Sequence, residues 1–188
     1  MGKKSTETKN ALADALQSIL LENDRGAITV KSVSTRAGVD RQTFYYHFTG
    51  MEDLVGYLSK RELSVLTAGL EETGSLDKLI EQIVDQISER ELIFKALLNR
   101  FGRSTLKRLL HGRATEILAA HAERELAALG SPVDPPRRDG AVEYCALASA
   151  SVLEAWLEGE LPMNEKHLKR FLVESFRQQL AGVHAMGR

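Results

Sequence analysis

The chain predicts an all-helical protein, with a small N-terminal head and a larger helical body, on three observations. Apolar residues return at three- and four-residue spacing along almost the whole length, strand-like alternation is nearly absent, and only four prolines interrupt the pattern in 188 residues. A hydrophobic share of 43% is ample for a packed core, while 27% charged residues argue against disorder and membrane burial. No apolar run approaches the roughly 18 residues of a membrane span, and the start Met1–Glu7 lacks a signal peptide's apolar stretch, so a soluble cytoplasmic protein is expected. A net charge of -1 confines any nucleic-acid contact to a local surface. Cys145 is the only cysteine, which excludes an internal disulfide, and its apolar neighbours mark a buried thiol.

The elements follow in order. Leu12, Leu16, Ile19 and Leu20 line one face of a first helix, expected from about Thr6 to Asn23 and ended by the turn-forming stretch up to Gly26. The basic residues ahead of it and in its first turns, Lys3, Lys4 and Lys9, read as a solvated tail or as an arm toward a neighbouring groove. Thr29 caps a second helix with Val30, Val33 and Ala37 inward, Gly38 takes the left-handed conformation that ends it, and Asp40 caps a third. Phe44 and Phe48 share the inner side of that third helix. A fourth runs from about Met51 to Leu70 with Leu54, Val55, Leu58 and Leu66 inward.

A Gly-Ser hinge at residues 71–75 then opens the body. Three units are expected: a head at 1–50, a connecting helix at 51–72 and a body at 73–188. In the body, Leu76, Leu79, Ile80, Ile83, Val84 and Ile87 begin a helical segment, Phe101–Ser104 breaks it, and Leu106, Leu109, Leu110, Ile117 and Leu118 resume it up to the loop Gly130–Pro136. Between Ala141 and Leu157 only Glu143 and Glu154 are charged, so this helix must be covered on nearly every side. Pro162 and Asn164 separate it from a last amphipathic helix with Leu168, Phe171, Leu172, Phe176, Leu180 and Val183.

Residues 41–47 have the chemistry of a helix that reads DNA. With Phe44 and Phe48 inward, Gln42 and Tyr46 point most directly away, flanked by Arg41, Thr43, Tyr45 and His47. Gln pairs with adenine in bidentate fashion, Arg with guanine, and Thr touches a thymine methyl, while the tyrosines and histidine suit phosphate oxygens. Thr29 and the amides at the start of its helix suit a further phosphate, with Lys31 and Arg36 adding charge on that side. Aromatics in a run more often cover a core, but here Phe44 and Phe48 already fill the inner side.

These residues resemble the DNA-binding domain of the TetR family of bacterial transcription regulators. The resemblance rests on Thr29, Ala37-Gly38-Val39, Asp40, Tyr45-Tyr46-His47-Phe48 and Asp53-Leu54. Met51 departs from it by standing where the family usually carries a phosphate-binding Lys; it is expected to pack, leaving the amides at Gly50 and Met51 for a phosphate. The resemblance implies a homodimer on a palindromic operator, repression as the usual sign, and an effector held in the body.

A single reading helix covers few base pairs, so a dimerising surface is needed, and the helices at about 138–157 and 164–183 are the candidates, paired with their mates as a four-helix bundle. For a small-molecule effector, Phe94, Phe101, Leu110, Tyr144 and Trp156 are candidate lining residues, with Arg108, His111, His121 and Cys145 as polar anchors; plain core packing gives the same pattern. The segment from Gly102 to Leu161 also resembles a C-terminal domain of a TetR subgroup that includes a regulator of dihydroxyacetone kinase genes. That likeness implies a protein partner as the alternative signal, and an activator as the alternative sign.

Neither a cofactor nor a metal is expected, and no enzyme. His47, His111, His121, His167 and His184 include no pair three or four apart, and neither a Cys-x-x-Cys, a nucleophile elbow nor a phosphate-cradling glycine loop occurs. The remaining rival is a helical adaptor that binds protein and not DNA, which salt dependence would separate from a phosphate-contacting reader.

Overall fold

The computed structural model describes residues 2–22, 26–67, 75–128 and 134–185. Among them are nine helices and no strand: α1 (Gly2–Leu21), α2 (Val30–Arg36), α3 (Arg41–His47), α4 (Met51–Thr67), α5 (Leu76–Glu89), α6 (Glu91–Phe101), α7 (Arg103–Ala128), α8 (Pro135–Leu157) and α9 (Glu165–Ala185). The expected end of the first helix at Asn23, the hinge before Ser75, the loop through Val133 and the inward side chains of Leu66, Leu106 and Leu109 lie outside what is described.

Local chemistry accounts for the head. Thr29 is extended, its hydroxyl accepts from the Ser32 amide at 3.1 Å, and the Ser32 hydroxyl accepts from the Thr29 amide at 3.0 Å, so two orphan donors are satisfied reciprocally at the start of α2. Gly38 follows with φ +70°, a conformation that costs a side-chain-bearing residue 1–2 kcal/mol or so, and the chain turns. Asp40 then caps α3 by accepting from the Thr43 amide at 2.6 Å. That hydrogen bond holds the Asp40 carboxyl below the usual carboxylate range.

Helix α1 begins at Gly2, earlier than expected, so Lys4 and Lys9 ride on a helix and not on an arm. No proline or glycine separates Lys3 from the apolar run, and the Thr8 hydroxyl donates back to the Lys4 carbonyl at 3.1 Å, a bond the helical backbone permits. Beside it, α4 runs parallel. The Tyr57 hydroxyl donates to Asn10 Oδ1 at 2.8 Å, and Arg61 reaches Asp14 at 2.7 Å and Gln17 at 3.0 Å.

The core does not stop at the head. Leu12, Leu16 and Leu20 of α1, Val33 of α2, Phe44 of α3 and Leu54, Val55 and Leu58 of α4 pack in one cluster with Val84, Ile87, Phe94, Leu98, Leu110, Leu153 and Leu168 of the body. A second cluster fills the far end, from Leu76, Leu118, Ala122 and Leu126 to Val142, Cys145, Phe176 and Leu180. Burial there pushes the Cys145 thiol up to about 11, which leaves it inert, as its neighbours in the sequence suggested.

Ion pairs set the direction of the body helices. Arg103 at the start of α7 holds Glu154 in the last turn of α8 and Glu160 just beyond it, and Arg138 at the start of α8 holds Glu123 at 3.0 Å, so the two form an antiparallel hairpin. Arg177 of α9 pairs with Asp77 of α5 at 2.7 Å, and Lys169 with Asp85, which makes α9 antiparallel to α5. One break escapes the sequence: α5 and α6 part at Arg90, although apolar spacing continues from Ile87 to Ile93.

Within the chain, α8 is covered over only part of its circumference. Ala141, Val142, Cys145, Ala146, Ala150, Leu153 and Leu157 are buried against α7 and α9, but Tyr144 and Leu147 remain 61% and 47% exposed. Two neighbours cover only part of a helix circumference, so an apolar helix flanked by two keeps an open stripe.

Because Phe44 is fully buried, Phe44→Ala should cost roughly 3–5 kcal/mol in denaturant unfolding, whereas Tyr46→Ala, at an 81% exposed site, should stay within ~0.5 kcal/mol.

Candidate nucleic-acid interface

Helices α2 and α3 meet across the Gly38 turn, and the inner sides of both are consumed by packing. Val33 and Phe44 are fully buried, Phe48 nearly so, and Val30, Ala37 and Val39 press against the same cluster. What remains outside on α3 is Arg41, Gln42, Tyr45 and Tyr46, all exposed, with Thr43 and His47 half-buried at the edges. The sequence-predicted residues of α3 thus lie outside its packed side, and Thr29 and Lys31 are both exposed at the start of α2.

Aromatic contacts order that surface without burying it. Tyr45 stands edge-on to Phe44 at 5.4 Å between ring centroids, and Tyr46 edge-on to His47 at 4.9 Å. Each tyrosine ring is thus oriented by a neighbouring ring while the residue stays exposed, 59% for Tyr45 and 81% for Tyr46. Among the described residues, no carboxylate lies within ion-pair distance of Lys31 or Arg41, so both charges are uncommitted.

Arg36 is different. Its guanidinium grips Glu22 at the end of α1 in bidentate fashion, with Nη2 donating to Oε2 at 2.9 Å and Nη1 also donating to the Ser18 hydroxyl at 2.8 Å. The pair holds the Glu22 carboxyl below its usual range and raises Arg36. The arginine's charge is spent on fastening α2 to α1, which a local reading of the segment could not show.

Met51 is half-buried and packs on the head's cluster, as expected for an apolar residue at that place. The start of α4 is fixed instead by Asp53, whose carboxylate accepts from the Thr49 amide at 3.0 Å and from its hydroxyl at 3.3 Å. Lys9, read in the sequence only as part of a basic start, holds its ammonium over the rings of Phe48 and Tyr57, 5.8 and 5.9 Å from their centroids.

The candidate effector residues are less well gathered. Phe94 and Leu110 are buried in the first cluster, and Phe101 and Trp156 pack on it, with the Trp156 indole donating to the Met163 carbonyl at 3.0 Å. Cys145 belongs to the second cluster, and Tyr144 faces outward on α8. Arg108 is exposed, His111 Nε2 lies 2.9 Å from Glu143, and His121 Nδ1 lies 3.0 Å from the Ile117 carbonyl. Among the described residues, no group of three or more His, Cys, Asp or Glu is placed to hold a metal ion, and no helix is long and apolar enough to cross a membrane.

Residues 18–58 match the family described as bacterial regulatory proteins, tetR family. A search of curated proteins finds no match. Among solved structures, a tetR-family transcriptional regulator from Streptomyces coelicolor is similar at a TM-score of 0.64 and 19% identity, over 99% of this chain and 85% of that one. The dihydroxyacetone kinase operon activator DhaS is similar at 0.59 and 14%, over 95% and 97%. RolR in complex with resorcinol is similar at 0.59 and 16%, over 97% and 94%. At these identities the structures establish a shared fold from end to end, while the match at 18–58 falls on the helices that carry the exposed constellation. Residues 18–58 thus carry the family's N-terminal segment, and the whole chain shares the fold of these solved structures.

Proposed function

We propose that the protein is a homodimeric transcription regulator that reads a palindromic operator in duplex DNA through α3, represses from it, and is released by a signal received in the body. The observation that carries this reading is the division of α3 into a buried aromatic side and an exposed side bearing Arg41, Gln42, Tyr45 and Tyr46. A helix so divided can lie in the major groove, about 12 Å wide, without unfolding anything beneath it.

The roles follow from donor and acceptor chemistry. Gln42 and Arg41 meet base edges, Thr43 a thymine methyl, and Tyr45, Tyr46 and His47 the phosphates at either side of the groove. Thr29 presents the start of α2 to one backbone and Lys31 adds its free charge there.

Two such heads are brought together by α8 and α9. The stripe of Tyr144, Leu147 and Ala148 on α8 lies open, and Phe171 on α9 is exposed as well. Packing this surface on its two-fold mate buries it in a four-helix bundle and sets the two reading helices one or more helical turns of DNA apart. The effector is a small molecule bound near Phe94, Phe101 and Trp156, in keeping with the resorcinol of the RolR complex. The name of DhaS, an operon activator, supports activation as the alternative sign.

In fluorescence anisotropy, Gln42→Ala should cost roughly 1–3 kcal/mol on the selected site and narrow the gap to unrelated DNA, whereas Lys31→Ala should weaken every duplex alike. Equal loss on all sequences for Gln42→Ala would remove it from base reading. Leu147→Glu places charge in the proposed dimer seam and should convert the protein to monomers in sedimentation velocity, with helicity retained by circular dichroism; a persistent dimer would move the interface elsewhere.

A further inference from the structure

The reading face described so far carries few free charges for a protein that must hold a polyanion. Lys31 and Arg41 are uncommitted there, but Arg36 is engaged by Glu22 and Asp40 is a cap. Duplex-binding proteins commonly neutralise about 6–10 phosphates. Further cations are therefore expected close by, and α1 carries three lysines, of which the side chains of Lys4 and Lys9 are among those described.

Helices α1 and α4 run parallel with a fixed offset: Asn10 meets Tyr57 across 47 positions, and Asp14 meets Arg61 across the same interval. Carried back toward the N-termini, that register places Lys4 beside Met51, at the start of α4 and directly after the reading helix. Lys9 lies between. Its ammonium sits over the ring of Phe48, the residue that ends α3, and over Tyr57, whose hydroxyl is tied to Asn10. Among the described residues, neither Lys4 nor Lys9 has a carboxylate within ion-pair distance. A cation resting on two rings is oriented yet still able to reach an anion on its open side, because the ring faces supply no hydrogen-bond acceptor for its protons to exhaust.

We infer that Lys4 and Lys9 form a second row of phosphate contacts on α1, gripping the DNA backbone beside the groove that α3 reads. This inference rests on the DNA-binding reading above. The row doubles the free cations of the face. It contributes no sequence discrimination, since phosphates are the same at every step.

The test uses the full-length protein and a mixed-sequence duplex long enough for a dimer, because phosphate contacts act on any duplex. Binding is titrated against salt for the wild type, Lys9→Gln, Lys4→Gln and Lys9→Arg. Each Gln variant removes one contact per protomer, so the slope of log K against log salt should become shallower by about 2 for the dimer. The preference for a selected site over mixed sequence should be unchanged, and Lys9→Arg should restore the wild-type slope. A purely structural Lys9 would instead lower the melting temperature of Lys9→Gln and leave the slope as it was. An unchanged slope in both Gln variants, or no recovery in Lys9→Arg, overturns the inference. Salt-independent binding, or none, by the wild type overturns the DNA-binding reading as well, and so is distinguishable from failure of the lysines alone.

Discussion

Phe44 sits at zero exposure in a pocket made by α1, α2 and α4, with the Phe48 ring 5.8 Å away, and the placement of every other candidate side chain follows from that burial. A seven-residue helix has no stability of its own in water. It persists because one side is anchored by two aromatic rings and its start by Asp40. Once those are fixed, the 100° step between residues sends Gln42 and Tyr46 outward and Arg41, Tyr45 and His47 to the flanks. The same anchor gives Lys9 its platform. Loss of the anchor would therefore remove the reading surface as a whole and not one contact of it.

The head is also joined to the body by more than a tether. Phe94, Leu97 and Leu98 of α6 share the core with Leu12 and Leu16 of α1, and the Arg100 guanidinium donates to the Gly26 carbonyl at 3.2 Å in the segment leading to α2. At the α5–α6 joint, Arg90 lies 3.6 Å from the buried Glu62 of α4, which is also 3.7 Å from Arg61, the partner of Asp14. A buried carboxylate held between two guanidiniums is costly to leave half-paired. Any repacking around α6 is consequently felt by both α1 and α4, the two helices against which α3 is seated. Under the proposed function, this is the route by which occupancy of the body would reposition the heads.

The sequence made the head legible because its determinants are local. Thr29 and Ser32 are three residues apart, Asp40 and Thr43 likewise, Gly38 carries its own conformational signal, and Phe44 and Phe48 are one turn apart. Each can be read from a short window. The determinants that escaped are long-range. Arg36 looked like a DNA contact until α1 brought Glu22 to it from 14 positions away, and Lys9 looked like tail until Phe48 and Tyr57 arrived beneath it. The apolar surface of α8 was legible as a candidate dimer face, but which of its residues stay open was not, because apolar residues on a covered side and on a side awaiting a partner have the same composition. The candidate effector residues share this ambiguity, since Phe94 and Trp156 serve equally as core.

The central claim, that two copies of this exposed helix read a two-fold DNA site, is tested most directly by selecting bound sequences from a random duplex pool. The account predicts enrichment of an inverted repeat, with half-site centres separated by about 10–10.5 base pairs or a multiple of it. Enrichment of a single, non-repeated motif would contradict the dimeric arrangement, and a pool that remains unenriched after repeated rounds would contradict the reading of α3 as a sequence-specific helix.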